Sequence, residues 1–151
     1  MSPAARPKTR PVGITALSMF FIFGAVMSFI ASVSLLFPGS FLEPMWRLNP
    51  RAREGFTGMG AWAAVLMIAV CVACTSAAVG LWRGARWGYW LAVTLLTINL
   101  LGDVANVILG TEPRAAIGIP IVATVITFLM TRRVRRFFMR AGVEGKFRSK
   151  A

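Results

Sequence analysis

The sequence contains no histidine and only five acidic residues among 151. The first absence removes imidazole acid–base catalysis and the commonest zinc ligand. The second leaves Glu43, Glu54, Asp103, Glu112 and Glu144, too scattered along the chain to form a carboxylate pair or a metal cage. There is no glycine-rich phosphate loop and no nucleophile set beside a base. Cysteine is scarce too: Cys71 and Cys74 are the only two, so no disulfide framework exists. They form a C-x-x-C midway along an apolar run, where a regular helix does not bring residues three apart into disulfide geometry, so they read as small packing residues. The expectation is a protein that is not an enzyme, with no cofactor and no metal.

What the sequence has is hydrophobic length. Apolar residues make up 57% of the chain, against roughly 45–50% in ordinary soluble domains. They fall into four long runs, which read as a polytopic membrane protein. The spans are placed at about 12–37, 59–82, 87–109 and 116–131, within a four-helix transmembrane domain covering 12–138. Residues 1–11 form a basic tail expected to be disordered, and residues 139–151 a second basic tail. The first run is too long for the h-region of a signal peptide, so it reads as an uncleaved span. Pro38-Gly39 stops it, and Pro120 is expected in the first turn of the fourth span, where a missing N–H does little harm.

The net charge is +12. In a soluble chain that balance would point to nucleic acid; beside four apolar runs it reads as an orientation signal, and no nucleic-acid partner is expected. Thirteen of the 17 Lys and Arg lie in the N-terminal tail, the 83–86 link and the chain from Arg132 onward. Arg47, Arg51, Arg53 and Arg114 lie on the other side. Both termini are therefore expected to be cytoplasmic, in an up-down-up-down antiparallel bundle. The long connection 38–58 is either a segment lying in the headgroup layer, where Trp46 would be favoured, or an ordered loop over the bundle end. Trp82, Trp87, Tyr89 and Trp90 read as an aromatic belt at the opposite interface.

Small residues at four-residue spacing let helices approach closely in lipid. Gly24, Ser28 and Ser32 form one such series in the first span, and Ala69, Ala73 and Ala77 another in the second, with Ser76 and Gly80 at the same spacing beside it. In the third span, Gly88, Ala92, Asn99, Asp103, Asn106 and Gly110 share one narrow stripe. Asp103 is the single carboxylate inside an apolar run, and a charged Asp at mid-helix costs ~2.5–3.5 kcal/mol on insertion scales. Three roles stay open for the cluster Asn99, Asp103 and Asn106. It can be a structural polar knot with Thr124 and Thr127, with Arg114 or with the arginines of 38–58; it can meet a partner's polar group; or Asp103 can titrate in a transport path. Arg132, Arg133, Arg135 and Arg136 act first as a stop and orientation signal, and second, with Phe137 and Phe138, as a patch for anionic lipid at ~1 kcal/mol per basic residue.

Trp46-Arg-Leu-Asn-Pro50, Gly80-Leu-Trp-Arg83 with Arg86-Trp87, Asn99-Leu-Leu-Gly-Asp103 followed by Asn106, and Ile117-Gly-Ile-Pro120 leading to Thr131-Arg-Arg-Val-Arg135 resemble a group of small four-span bacterial membrane proteins. The likeness covers nearly all of 11–138. It implies a four-helix bundle in a bacterial inner membrane and carries no activity. The functional expectation is an accessory or scaffold subunit that packs through its third span against a membrane-protein partner or its own copy. The alternative is a small oligomeric transporter or channel component with Asp103 as the titrating group.

Overall fold

In the computed structural model, the structure describes residues 12–110, 115–132 and 134–139. The 1–11 tail, Glu112, Arg114, Arg133 and residues 140–151 lie outside them. Every element among the described residues is helical, and three helices are long and apolar enough to cross a membrane. They are α1 (Val12–Leu36), α3 (Ala61–Trp82) and α4 (Arg86–Ile108), with α2 (Pro50–Met59) and α5 (Ala115–Met130) shorter. These three helices mark the chain as a membrane protein.

The 38–58 connection is more ordered than a loop. A 3-10 helix (Glu43–Leu48) leads into α2, whose start is fixed by Asn49. The Asn49 side chain accepts a hydrogen bond from the Ala52 N–H at 3.1 Å, and Pro50 occupies the first helical position, where its missing N–H costs nothing. Gly60, at φ +58, breaks α2 from α3. The second long helix consequently starts at Ala61 and not at Met59. Trp46 is buried against the chain, and its indole N–H donates to Ser34 Oγ at the end of α1 (2.9 Å). Phe56 of α2 stacks edge-on to it, and Arg53 pairs with Glu43. The segment is a helical cap tied to one end of α1.

α1 packs along α3, α3 along α4, and α4 along α5. The α3–α4 turn is a Schellman closure: Ala85 N–H bonds the Gly80 carbonyl (2.8 Å), Gly84 N–H the Leu81 carbonyl (3.0 Å), and Gly84 takes φ +67. α5 starts at Ala115, so Pro120 lies inside the helix and removes one rung of its ladder, in place of the harmless first-turn position expected. Beyond Met130 the backbone bends at Thr131 and is helical again over 134–139. This last segment does not run out into solvent as a charged extension. Val134 and Phe138 are buried, with Phe138 against Tyr89, and Phe137 lies over Gly84. The apolar pair stands one turn apart, so it folds back onto the α3–α4 turn while Arg132, Arg135 and Arg136 stay exposed.

The core is a single cluster at that same end. It includes Ile14, Leu17 and Phe21 of α1, Ala77, Ala78 and Leu81 of α3, Tyr89, Ala92 and Leu96 of α4, Val122 and Leu129 of α5, and Val134 and Phe138. Burial on α4 stops at Leu96.

Candidate functional site

The stripe of α4 divides into two halves. Gly88, Ala92 and Leu96 are buried, whereas Asn99 and Asn106 are exposed and Asp103 is half-buried. The buried half is built by close backbone approach. A Cβ placed on Gly88 would lie 2.4 Å from the Gly80 backbone, and one on Gly80 would lie 2.5 Å from Gly88 Cα. Ala77 is buried on the same side of α3. Tyr89, expected in the aromatic belt, is instead buried, its hydroxyl donating to the Leu129 carbonyl of α5 at 3.2 Å. Trp82, Trp87 and Trp90 do face outward at this end.

The exposed half carries the polar group. Asn99 Nδ2 donates to Asp103 Oδ2 at 3.4 Å, one turn along the same helix. Gly118 of α5 faces that carboxylate: a Cβ there would come within 2.9 Å of Asp103 Oδ2. Glycine at 118 thus makes room for the carboxylate between α4 and α5. Thr124 and Thr127 do not donate to the cluster. Their hydroxyls bond back to the carbonyls of Pro120 (2.7 Å) and Ala123 (2.8 Å) in their own helix. Arg114 is outside the described residues. The Asn99–Asp103 bond therefore lies within α4, and neither threonine hydroxyl donates to it.

The small-residue series of α1 meets α3: Gly24 faces Cys74 Sγ, and Ser32 Oγ lies 3.4 Å from the Ala64 carbonyl, with Ser28 half-buried between them. The α3 series is less regular. Ala77 and Gly80 are buried, Ala73 is half-buried and Ala69 is exposed, because the contact passes from Ala63 and Ala64 at one end to Ala77 and Ala78 at the other without following one strict stripe. Cys71 and Cys74 are free thiols, both half-buried.

One feature escaped the sequence reading. The helical cap holds an open cavity of about 840 Å³ lined by Trp46, Arg47, Glu43, Arg53 and Glu54. The Asn49-Pro50 start signal of α2 was the available clue to this structure. Among the described residues no group of His, Cys, Asp and Glu is disposed to hold a metal ion.

No family model matches the chain, nor does any curated protein or solved structure.

Proposed function

We propose that the chain is a small accessory or scaffold subunit of a bacterial inner membrane, docking a partner helix on the outer half of α4. One observation carries the reading. The stripe Gly88-Ala92-Leu96 is buried by the chain's own helices, whereas in its continuation Asn99 and Asn106 are exposed and Asp103 is only half-buried beside Gly118. α4 is also the least buried of the three long helices. Side-chain amides and a carboxylate facing hydrocarbon are costly, so such a face favours a neighbour with hydrogen-bond donors of its own.

The four-span topology belongs to this proposal. α5 has 16 residues, a rise of roughly 24 Å at ~1.5 Å per residue, and the 134–139 segment follows it. It runs antiparallel to α4 from Asp103–Gly118 at one end to Tyr89–Leu129 at the other, which returns the chain to the side where α4 began. With both termini cytoplasmic, Arg83, Arg86, Arg132, Arg135 and Arg136 share the inner end, and the helical cap faces out. The likeness to small four-span bacterial proteins supports the same arrangement.

The test is affinity capture of tagged protein from its native membranes in mild detergent, followed by native mass determination. One membrane partner, or a second copy, at fixed stoichiometry and weakened by Asp103→Asn is expected. A protein that is recovered alone overturns the reading. Proton or ion flux in liposomes that depends on Asp103 would replace it with the transporter alternative.

A further inference from the structure

We infer that the groove between α1 and α3, at the end of the bundle that carries Arg83, is a binding site for one anionic phospholipid. The groove has a volume of about 290 Å³ and is lined by Ile22 and Val26 of α1, Thr75, Val79 and Trp82 of α3, and Arg83. Its walls are almost wholly hydrocarbon, and Thr75 spends its hydroxyl on the Cys71 carbonyl of its own helix (2.8 Å), so nothing polar along the groove competes for an alkyl chain. The chemistry changes at one end only. There α3 stops at Trp82, and Arg83, an exposed guanidinium, lines the mouth.

That sequence of surfaces, alkyl wall, then indole, then cation, is the order met along a lipid from acyl chain through glycerol to phosphate. The charge argument separates this groove from the other apolar cleft. A cleft of about 420 Å³ between α1 and α5 is lined by Gly13, Leu17, Phe20, Leu96, Val125 and Phe128 among others, and no charged residue lines it. Among the described residues no carboxylate lies at the Arg83 end: Glu43 and Glu54 lie on the helical cap, and Asp103 on the half of α4 remote from the turn. Arg86, exposed at the start of α4 across the turn from Arg83, adds a second cation at the same end. The occupant is a glycerophospholipid with a net negative headgroup. One acyl chain lies between α1 and α3, Trp82 stands at the glycerol level, and the phosphate sits on Arg83.

This site rests on the membrane placement of the helices and is independent of the partner face on α4. The experiment is native mass spectrometry of the full chain in mild detergent with equimolar dioleoyl phosphatidylglycerol and dioleoyl phosphatidylcholine. The wild type is expected to retain one phosphatidylglycerol in preference to phosphatidylcholine. Arg83→Gln is expected to lower that preference about fivefold, in line with the attraction of one basic residue for an anionic surface, and Arg83→Lys to keep it. Val79→Trp, which fills the groove, is expected to displace both lipids. Equal retention of the two lipids by the wild type overturns the inference. So does retention of phosphatidylglycerol by Val79→Trp, which would mean a headgroup held at the surface with no chain in the groove. Partner capture measured on the same variants keeps the α4 reading separate, because none of these substitutions touches α4.

Discussion

Gly88→Ala is a one-carbon change that the α3–α4 contact has no room for. The added Cβ would lie 2.4 Å from both Cα and C of Gly80 and 2.8 Å from the Leu81 nitrogen. Carbon atoms rest at about 3.5–4.0 Å, so the two helices must part by about 1 Å. Every atom in the way is backbone, so no rotamer change relieves the clash. The turn between the helices is no more forgiving, since Gly80, Leu81, Gly84 and Ala85 are held in its two closing hydrogen bonds. Overpacking of this kind costs about 1–3 kcal/mol, and a contact with backbone on both sides belongs at the upper end. Alanine recovers up to about 1 kcal/mol of helix propensity, leaving a net loss of about 2 kcal/mol. Gly102→Ala is the matched control on the same helix. Its Cβ would meet nothing within 4 Å, so it should keep the propensity gain of up to about 1 kcal/mol. The same chemical change at two sites of one helix is thus expected to move stability in opposite directions, about 3 kcal/mol apart. Thermal unfolding in mild detergent can be followed with a thiol-reactive dye, because Cys71 and Cys74 are free and half-buried on α3. A Gly88→Ala midpoint at or above that of the wild type, or equal shifts for the two variants, would refute the close-approach argument.

Two further outcomes are expected at the same end of the bundle. Tyr89→Phe removes the hydroxyl that donates to the Leu129 carbonyl and should cost about 0.5–1.5 kcal/mol, read as a lower unfolding midpoint with unchanged helical content by circular dichroism. Phe138→Ala empties a fully buried position and should cost about 3–5 kcal/mol if the segment stays docked. If it undocks instead, limited trypsin cleavage at Arg135 and Arg136 should quicken several-fold while α1 to α5 stay intact. Unchanged stability together with unchanged cleavage would show that the 134–139 segment is not held by Phe138.

The long helices and their closest contacts were legible because they depend on period and size alone. Gly88 and Ala92 stand one turn apart, both buried, and even a Cβ at Gly88 would clash with the Gly80 backbone. Gly24 and Ser32 were readable on α1 for the same reason. Tyr89 was not, because its neighbours Trp87 and Trp90 face outward and the sequence presents all three as one aromatic group. The fold-back of Val134 and Phe138 was hidden by composition: two apolar residues at helical spacing are hard to hear among four arginines. The helical cap was missed for the opposite reason. Charges on α2 masked its regularity, although Asn49, Pro50 and Gly60 punctuate it as a helix with both ends marked. At the polar cluster, the spacing of Asn99 and Asp103 fixed their bond, but the part played by Gly118 comes from a different helix and no local pattern announces it.

The docking of 134–139 has a bearing on how the chain is assembled. Phe138 packs against Tyr89 and belongs to the same buried cluster as Leu81 and Leu129, so that cluster is complete only once Phe138 has docked, and Phe138 is synthesised after all of them. Until then the α3–α4 turn has an unfilled socket, and the bundle is threaded but not latched. With the termini cytoplasmic, as proposed, the arginines around Phe138 resist translocation and hold the latch on the side of the membrane where it was made. In the proposed topology, insertion and closure are thereby ordered in time: the helices cross first, and the end of the bundle locks last, from a segment that stays in the compartment of its synthesis.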